Sequence, residues 1–142
     1  MMVKEYKPGR RFMARLDHDA DLLRYLEEFA AKNKIEMGYF EVIGAVKSGA
    51  IGFYEQTTWS YKTIRYDHHL EIGSCIGNFS IRDGKPAVHA HVTFGDDSGK
   101  AFTGHLMEGT KIFAGEMVAV ELLGDRLERV PDDVTKLSLW RF

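Results

Sequence analysis

With 142 residues, 44% hydrophobic and 28% charged, the chain is long enough to bury the core of one ordinary globular domain. A formal net charge of −2 excludes a protein whose whole surface grips nucleic acid, and a single cysteine, Cys75, excludes an internal disulfide framework and fits a reducing, cytoplasmic interior. No apolar run approaches the roughly 20 residues of a membrane span, and the opening Met-Met-Val-Lys-Glu-Tyr-Lys has no signal-peptide core, so no membrane role is expected.

Four basic residues near the start, Lys4, Lys7, Arg10 and Arg11, surround Pro8-Gly9. They read as a solvated terminus able to touch phosphate. Alternation over Arg11–Leu16 predicts a first strand with Phe12, Ala14 and Leu16 on one face. Asp17-His18-Asp19-Ala20-Asp21 then opens a helix, capped by Asp17 or Asp19, with the remaining acids in its positive first turn. Leu22, Leu26, Phe29 and Ala30 form its apolar stripe, Leu23 lies beside them, and it ends near Asn33. His18, at the helix entrance, reads as a capping or surface residue.

From Met37 onward nearly every signal is strand. Tyr39–Val46 is a buried run whose Gly44 marks a bulge or the close approach of another backbone. Lys47-Ser48-Gly49 predicts a turn, with Ala50–Tyr54 returning. Trp59, in the polar stretch Gln56–Ser60, either covers the core or joins a subunit contact. Tyr61–Tyr66 alternates, with Ile64 and Tyr66 on one face, and Leu70–Arg82 is a long strand interrupted by Gly73 and Gly77. Asp83-Gly84 is a tight-turn signal. Ile112–Leu123 is the last long strand, and the mixed tail from Arg126 ends in Leu-Trp-Arg-Phe, whose aromatics predict docking onto the body. One helix and about seven or eight mostly hairpin-connected strands define an α+β fold with a twisted, largely antiparallel sheet. The chain reads as a single domain over 1–142, with a core at about 11–123 and a tail at 124–142. One helix cannot cover so many strands, so the remaining apolar sheet surface must close on itself or meet another subunit.

The chemistry concentrates between Val88 and Leu106. Val-His-Ala-His-Val-Thr-Phe, a turn-forming Gly-Asp-Asp-Ser-Gly-Lys and Ala-Phe-Thr-Gly-His-Leu read as a hairpin. With its turn centred near Asp97, Val88, Ala90 and Val92 face Leu106, Gly104 and Phe102 on an apolar side. The other side carries His89 opposite His105 and His91 opposite Thr103. Residues i and i+2 of a strand point the same way, and directly opposed residues have Cβ atoms roughly 4.5–5.5 Å apart. Imidazoles from those three positions can meet at one metal ion with bonds of about 2 Å, leaving a fourth tetrahedral position for water or a small ligand; zinc suits such a set.

Several stretches together resemble the plant-and-prokaryote-conserved (PPC) domain over roughly Arg11–Leu123. They are the helix Asp21-Leu22-Leu23 through Phe29-Ala30, Ile43-Gly44-Ala45, Gly77-Asn78-Phe79-Ser80, Val88-His89-Ala90-His91-Val92 and Gly104-His105-Leu106. The resemblance, to the stand-alone prokaryotic members, implies a compact trimer and a metal held by His89, His91 and His105. The AT-hook core Arg-Gly-Arg-Pro of the plant relatives is absent. Their Gly-Arg-Phe-Glu-Ile-Leu partner segment corresponds here to His68-His69-Leu70-Glu71-Ile72-Gly73, which keeps only Glu71 and Ile72. A non-enzymatic, zinc-binding homotrimer of regulatory or binding type is therefore the first expectation, with a DNA-binding label by family association only and any DNA contact weak and non-specific. A zinc-dependent decarboxylase-like or hydrolase-like enzyme is the alternative. It would need a proton-transfer group near the metal, for which Glu71, Glu116, His68 and His69 are candidates.

Overall fold

Hydrophobic alternation near the start of the chain becomes β1 (Lys7–Arg15) in the computed structural model, which describes residues 2–142. Met1, the first residue read for a signal peptide, lies outside them. Phe12 and Ala14 pack against the core, and Leu16 is buried just beyond the strand. The helix α1 (Leu22–Asn33) follows, with Leu22, Leu26 and Ala30 fully buried, as the apolar stripe predicts. Its cap is neither Asp17 nor Asp19 but Asp21. An N-cap needs an extended backbone, which Asp21 has, whereas Asp19 is left-handed at φ 65° and its carboxylate is held by Lys47 at 2.6 Å. Asp21 accepts from the Arg24 N–H at 3.2 Å and, through its other oxygen, from the Gly109 N–H at 2.7 Å, so the cap also pins a distant loop. Lys34, at φ 54°, closes the helix, its N–H reaching the carbonyls of the last turn. His18 sits at the surface, its Nδ1–H donating to the Phe113 carbonyl at 2.6 Å.

The predicted turn at Lys47-Ser48-Gly49 does not form. β2 (Gly38–Glu55) runs through it as one strand of 18 residues. Its first half lies between β4 (Leu70–Arg82) and β7 (Lys111–Leu123), and its second half pairs with β3 (Ser60–Tyr66). Small residues here bend the strand instead of reversing it. The β2–β7 register slips around Val46–Ser48, and the Phe94 ring lies where a Cβ on Gly49 would be, at 2.7 Å. Gly44 carries the predicted bulge: its φ is 146°, and a Cβ there would run into the Ala114 carbonyl. The Asp83-Gly84 turn forms as predicted, with φ values of 52° and 74°, and joins β4 to β5 (Lys85–Gly95).

β5 and β6 (Ala101–Leu106) are the histidine hairpin. Its turn is centred on Ser98, not Asp97, because the Asp96 carboxylate accepts from Ser98 N, Ser98 Oγ and Lys100 N at 2.7–2.9 Å and winds the loop one residue further. The pairing shifts by two: His91, not His89, faces His105, and Thr93 faces Thr103. A two-residue shift keeps every side chain on its predicted face, so Ala90, Val92 and Leu106 are buried.

The strand order is β1-β7-β2-β4-β5-β6, and β6 returns to β2 through Ile51–Leu106 and Gly52–His105. β2, β4, β5 and β6 thus form a closed ring, so part of the apolar surface closes on itself. Among the described residues the fold is α+β, one helix on a largely antiparallel sheet. In the tail, Leu127 is buried and β8 (Arg129–Pro131) pairs with β9 (Ser138–Trp140), forming a small hairpin against β4. Its anchor is Arg129 more than the terminal aromatics: Trp140 and Phe142 stay about 40% exposed. Among the described residues no helix is long and apolar enough to cross a membrane.

Candidate metal centre

Ladder geometry alone brings the three predicted histidines together. His89 and His91 stand two residues apart on β5, and His105 faces His91 from β6. Their ring centroids are 5.0–5.7 Å apart, and one nitrogen from each lies within 4.8 Å of the other two. Tetrahedral coordination at about 2.0–2.1 Å places ligand nitrogens about 3.3–3.4 Å apart, so the rings would draw closer to hold an ion.

The electrostatics fit a cation ligated by neutral imidazoles. Burial pushes His89 down to about 4, with the charges of Arg129 and His91 adding to the effect. Burial does the same to His105, also to about 4, helped by His89, His91 and Arg129. At neutral pH both rings therefore keep a lone pair free for a metal. Among the described residues, His105 Nδ1 is the buried side-chain polar atom that lacks a hydrogen-bond partner. Such orphans are uncommon in folded proteins and call for a partner of another kind.

Beside the histidines a cleft of about 320 Å³ opens between the sheet and the tail hairpin. Its aromatic wall is Tyr54, Trp59 and Tyr61, and the Tyr61 ring lies 5.2 Å from that of His105. Gly52, which pairs with His105, makes that approach possible, since a Cβ there would stand 3.0 Å from Tyr61. Burial raises the Tyr61 pKa, so its hydroxyl stays protonated. Trp59 thus lines the mouth of the cleft rather than covering the core, and it is half exposed.

On the tail side of the cleft, Arg129 is held by Asn78 Oδ1 and Ser80 Oγ, both at 2.7 Å, and by the Ser138 carbonyl at 3.1 Å. Asn78 faces His89 across the β4–β5 ladder. Sequence reasoning missed Arg129, which sits in an aperiodic tail with no local signal. Tyr61 had one: alternation that turns Ile64 and Tyr66 inward turns Tyr61 outward, onto the face of the histidines.

The four proton-transfer candidates lie elsewhere. Glu71 faces Gly95 at the far end of the β4–β5 ladder, beside a different depression that it shares with His69. His68 packs edge-on to Tyr66 at 6.0 Å, and Glu116 sits between Arg15 and Ile43.

An α+β protein whose histidine hairpin brings three imidazole nitrogens together is, as a class, a candidate metal-binding domain. The Plants and Prokaryotes Conserved (PCC) domain matches residues 3–123, and the chain belongs to that family. Among solved structures it is similar to a metal-containing protein from Archaeoglobus fulgidus, with 39% identity, TM-score 0.95 and full coverage of both chains. It is similar also to a plant- and prokaryote-conserved (PPC) protein from Pyrococcus horikoshii, with 36% identity, TM-score 0.94 and coverage of 100% of this chain and 98% of that one. A third, from Ralstonia eutropha JMP134, bears the name "Putative DNA-binding protein", at 25% identity, TM-score 0.82 and coverage of 92% and 90%. No curated protein matched the chain.

Proposed function

We propose that this protein is a cytoplasmic zinc-binding homotrimer that holds a small ligand at the centre formed by His89, His91 and His105, and that it is a binding protein before it is an enzyme. The observation that carries the reading is the meeting of three imidazole nitrogens within 4.8 Å, with His105 Nδ1 buried and unpartnered. The metal-containing archaeal neighbour supports it. Zinc bound there would supply a Lewis acid and one position for a water or an anion.

Binding is favoured over catalysis by the lining of the cleft. Among the described residues no aspartate or glutamate lines it, its two histidines are given to the metal in this reading, and Tyr61 is held protonated. The trimer rests on the family resemblance and is supported by an exposed apolar face. One row of paired residues crosses the sheet from Met13 through Val118, Glu41 and Ile76 to His91 and His105. Met13 is 88% exposed, and Ile76 and the neighbouring Ile43 are each 57% exposed. Large apolar patches of this kind mark association surfaces. DNA binding, suggested by the Ralstonia neighbour's name, is weak and non-specific in this reading.

Metal analysis of untagged protein purified without chelator tests the proposal. About one zinc per chain is expected, as a single tetrahedral site holds one ion. His89→Ala, His91→Ala and His105→Ala should each abolish it in a folded protein, because the core lies on the other side of the hairpin. Metal retained by all three variants would sink the assignment.

A further inference from the structure

We propose that the cleft beside the three histidines takes a small organic carboxylate, with the carboxylate seated on Arg129. Four other arginines, Arg10, Arg24, Arg126 and Arg141, each meet a carboxylate near the surface. Arg129 is half-buried yet bonds only neutral acceptors: a hydroxyl, a side-chain amide oxygen and a backbone carbonyl. Taking a cation out of water without an opposite charge is costly, and burial accordingly lowers the Arg129 pKa. Three of its five N–H donors are used, which fixes the guanidinium plane and leaves one N–H on each terminal nitrogen.

The surroundings lack the missing negative charge. Arg82 and Lys136 also line the cleft, no acidic side chain among the described residues does, and the carboxylate within ion-pair distance of Lys136 is that of the solvent-exposed Asp133, at 4.0 Å. Walls of one charge sign concentrate ligands of the opposite sign. Tyr54, Trp59 and Tyr61 give the site an apolar side that suits a carbon skeleton better than a bare inorganic anion, and its volume of about 320 Å³ suits a small molecule. Arg129 belongs to the histidine site as well: its Asn78 partner is the cross-strand neighbour of His89, and it lines one cleft with His89 and His105. The inference rests on the proposed metal centre and names the class of ligand that centre would share.

The test loads the full chain with cobalt(II), whose visible spectrum reports the metal site, and titrates it with pyruvate, benzoate, methyl pyruvate, methyl benzoate and inorganic phosphate. Calorimetry follows binding, and the spectrum follows ligation. The acids should bind at least about tenfold more tightly than their methyl esters and more tightly than phosphate, since one charge-assisted pair supplies at least that factor. Arg129→Gln should lose at least about tenfold in carboxylate affinity with the cobalt spectrum unchanged, and Arg129→Lys should recover part of it. Esters binding as well as acids, phosphate binding better, no acid binding at all, or Arg129→Gln binding normally would each overturn the proposal. The ester comparison needs only the native chain, so it decides even if Arg129→Gln fails to fold. If cobalt does not bind but the Arg129-dependent preference for acids persists, the metal reading falls and the carboxylate site stands.

Discussion

Replacing Glu121 by glutamine tests how much of the basic N-terminal segment is free to meet DNA. Glu121 is buried on β7 and takes Arg10 in a fork, 2.7 Å from both the Nε and the Nη2 nitrogens, with the Arg10 backbone N–H at 3.2 Å. Lys4 faces Asp125 at 3.6 Å. Of the four basic side chains near the start, Lys7 and Arg11 are thus the two with no carboxylate within ion-pair distance among the described residues. Each phosphate neutralised contributes about 0.9 to the slope of log affinity against log salt, so two contacts give a slope of about −1.8 per engaged chain, where four free cations would give about −3.6. Glu121→Gln removes the charge that holds Arg10 and should steepen the slope towards about −2.7. Fluorescence anisotropy on A·T-rich and G·C-rich duplexes over a salt series measures this, with equal affinity expected for the two sequences. A native slope near the four-contact value, or nanomolar sequence-selective binding at physiological salt, would refute the reasoning and restore direct gene regulation as the leading role.

Two further expectations concern stability. The Arg10 fork holds the Glu121 carboxyl below the usual carboxylate range, so the folded state binds this proton less readily than the unfolded chain; its stabilisation is present above the ordinary glutamate pKa and drains away as pH falls through the lowered value. Thermal melts from pH 7 to pH 3 should show a loss that is shallower in Glu121→Gln. Gly44→Ala should cost about 2–4 kcal/mol in urea unfolding, from the positive φ and the collision with the Ala114 carbonyl; a cost near zero would mean that the bulge relaxes freely.

Elements whose signals are periodic were legible in the sequence. The α1 stripe, the long β4 and the parity of the histidine hairpin follow from repeats of 3.6 and 2.0 that burial enforces over many residues. Features set by one local choice were not. Whether Lys47-Ser48-Gly49 turns or bends depends on Phe94 packing against Gly49 from a distant strand, and the cap moved to Asp21 because Asp19 was already bound to Lys47. The hairpin register hung on the side chain of Asp96, yet the histidine face survived, since a slip of two residues preserves parity. The histidines were found because strand spacing places them; Arg129 was not, because nothing near it in sequence foretells that the tail folds back onto Asn78 and Ser80.

The seam where the ring closes consists of two residue pairs, Ile51–Leu106 and Gly52–His105, against eleven between β4 and β5. Amide exchange and local opening concentrate where the ladder is shortest, so breathing of the native state should begin there. His105 belongs to that seam. An ion bridging His105 to His89 and His91 would brace β6 against β5, on the side away from the seam, so β2 could part from β6 while the metal stays held.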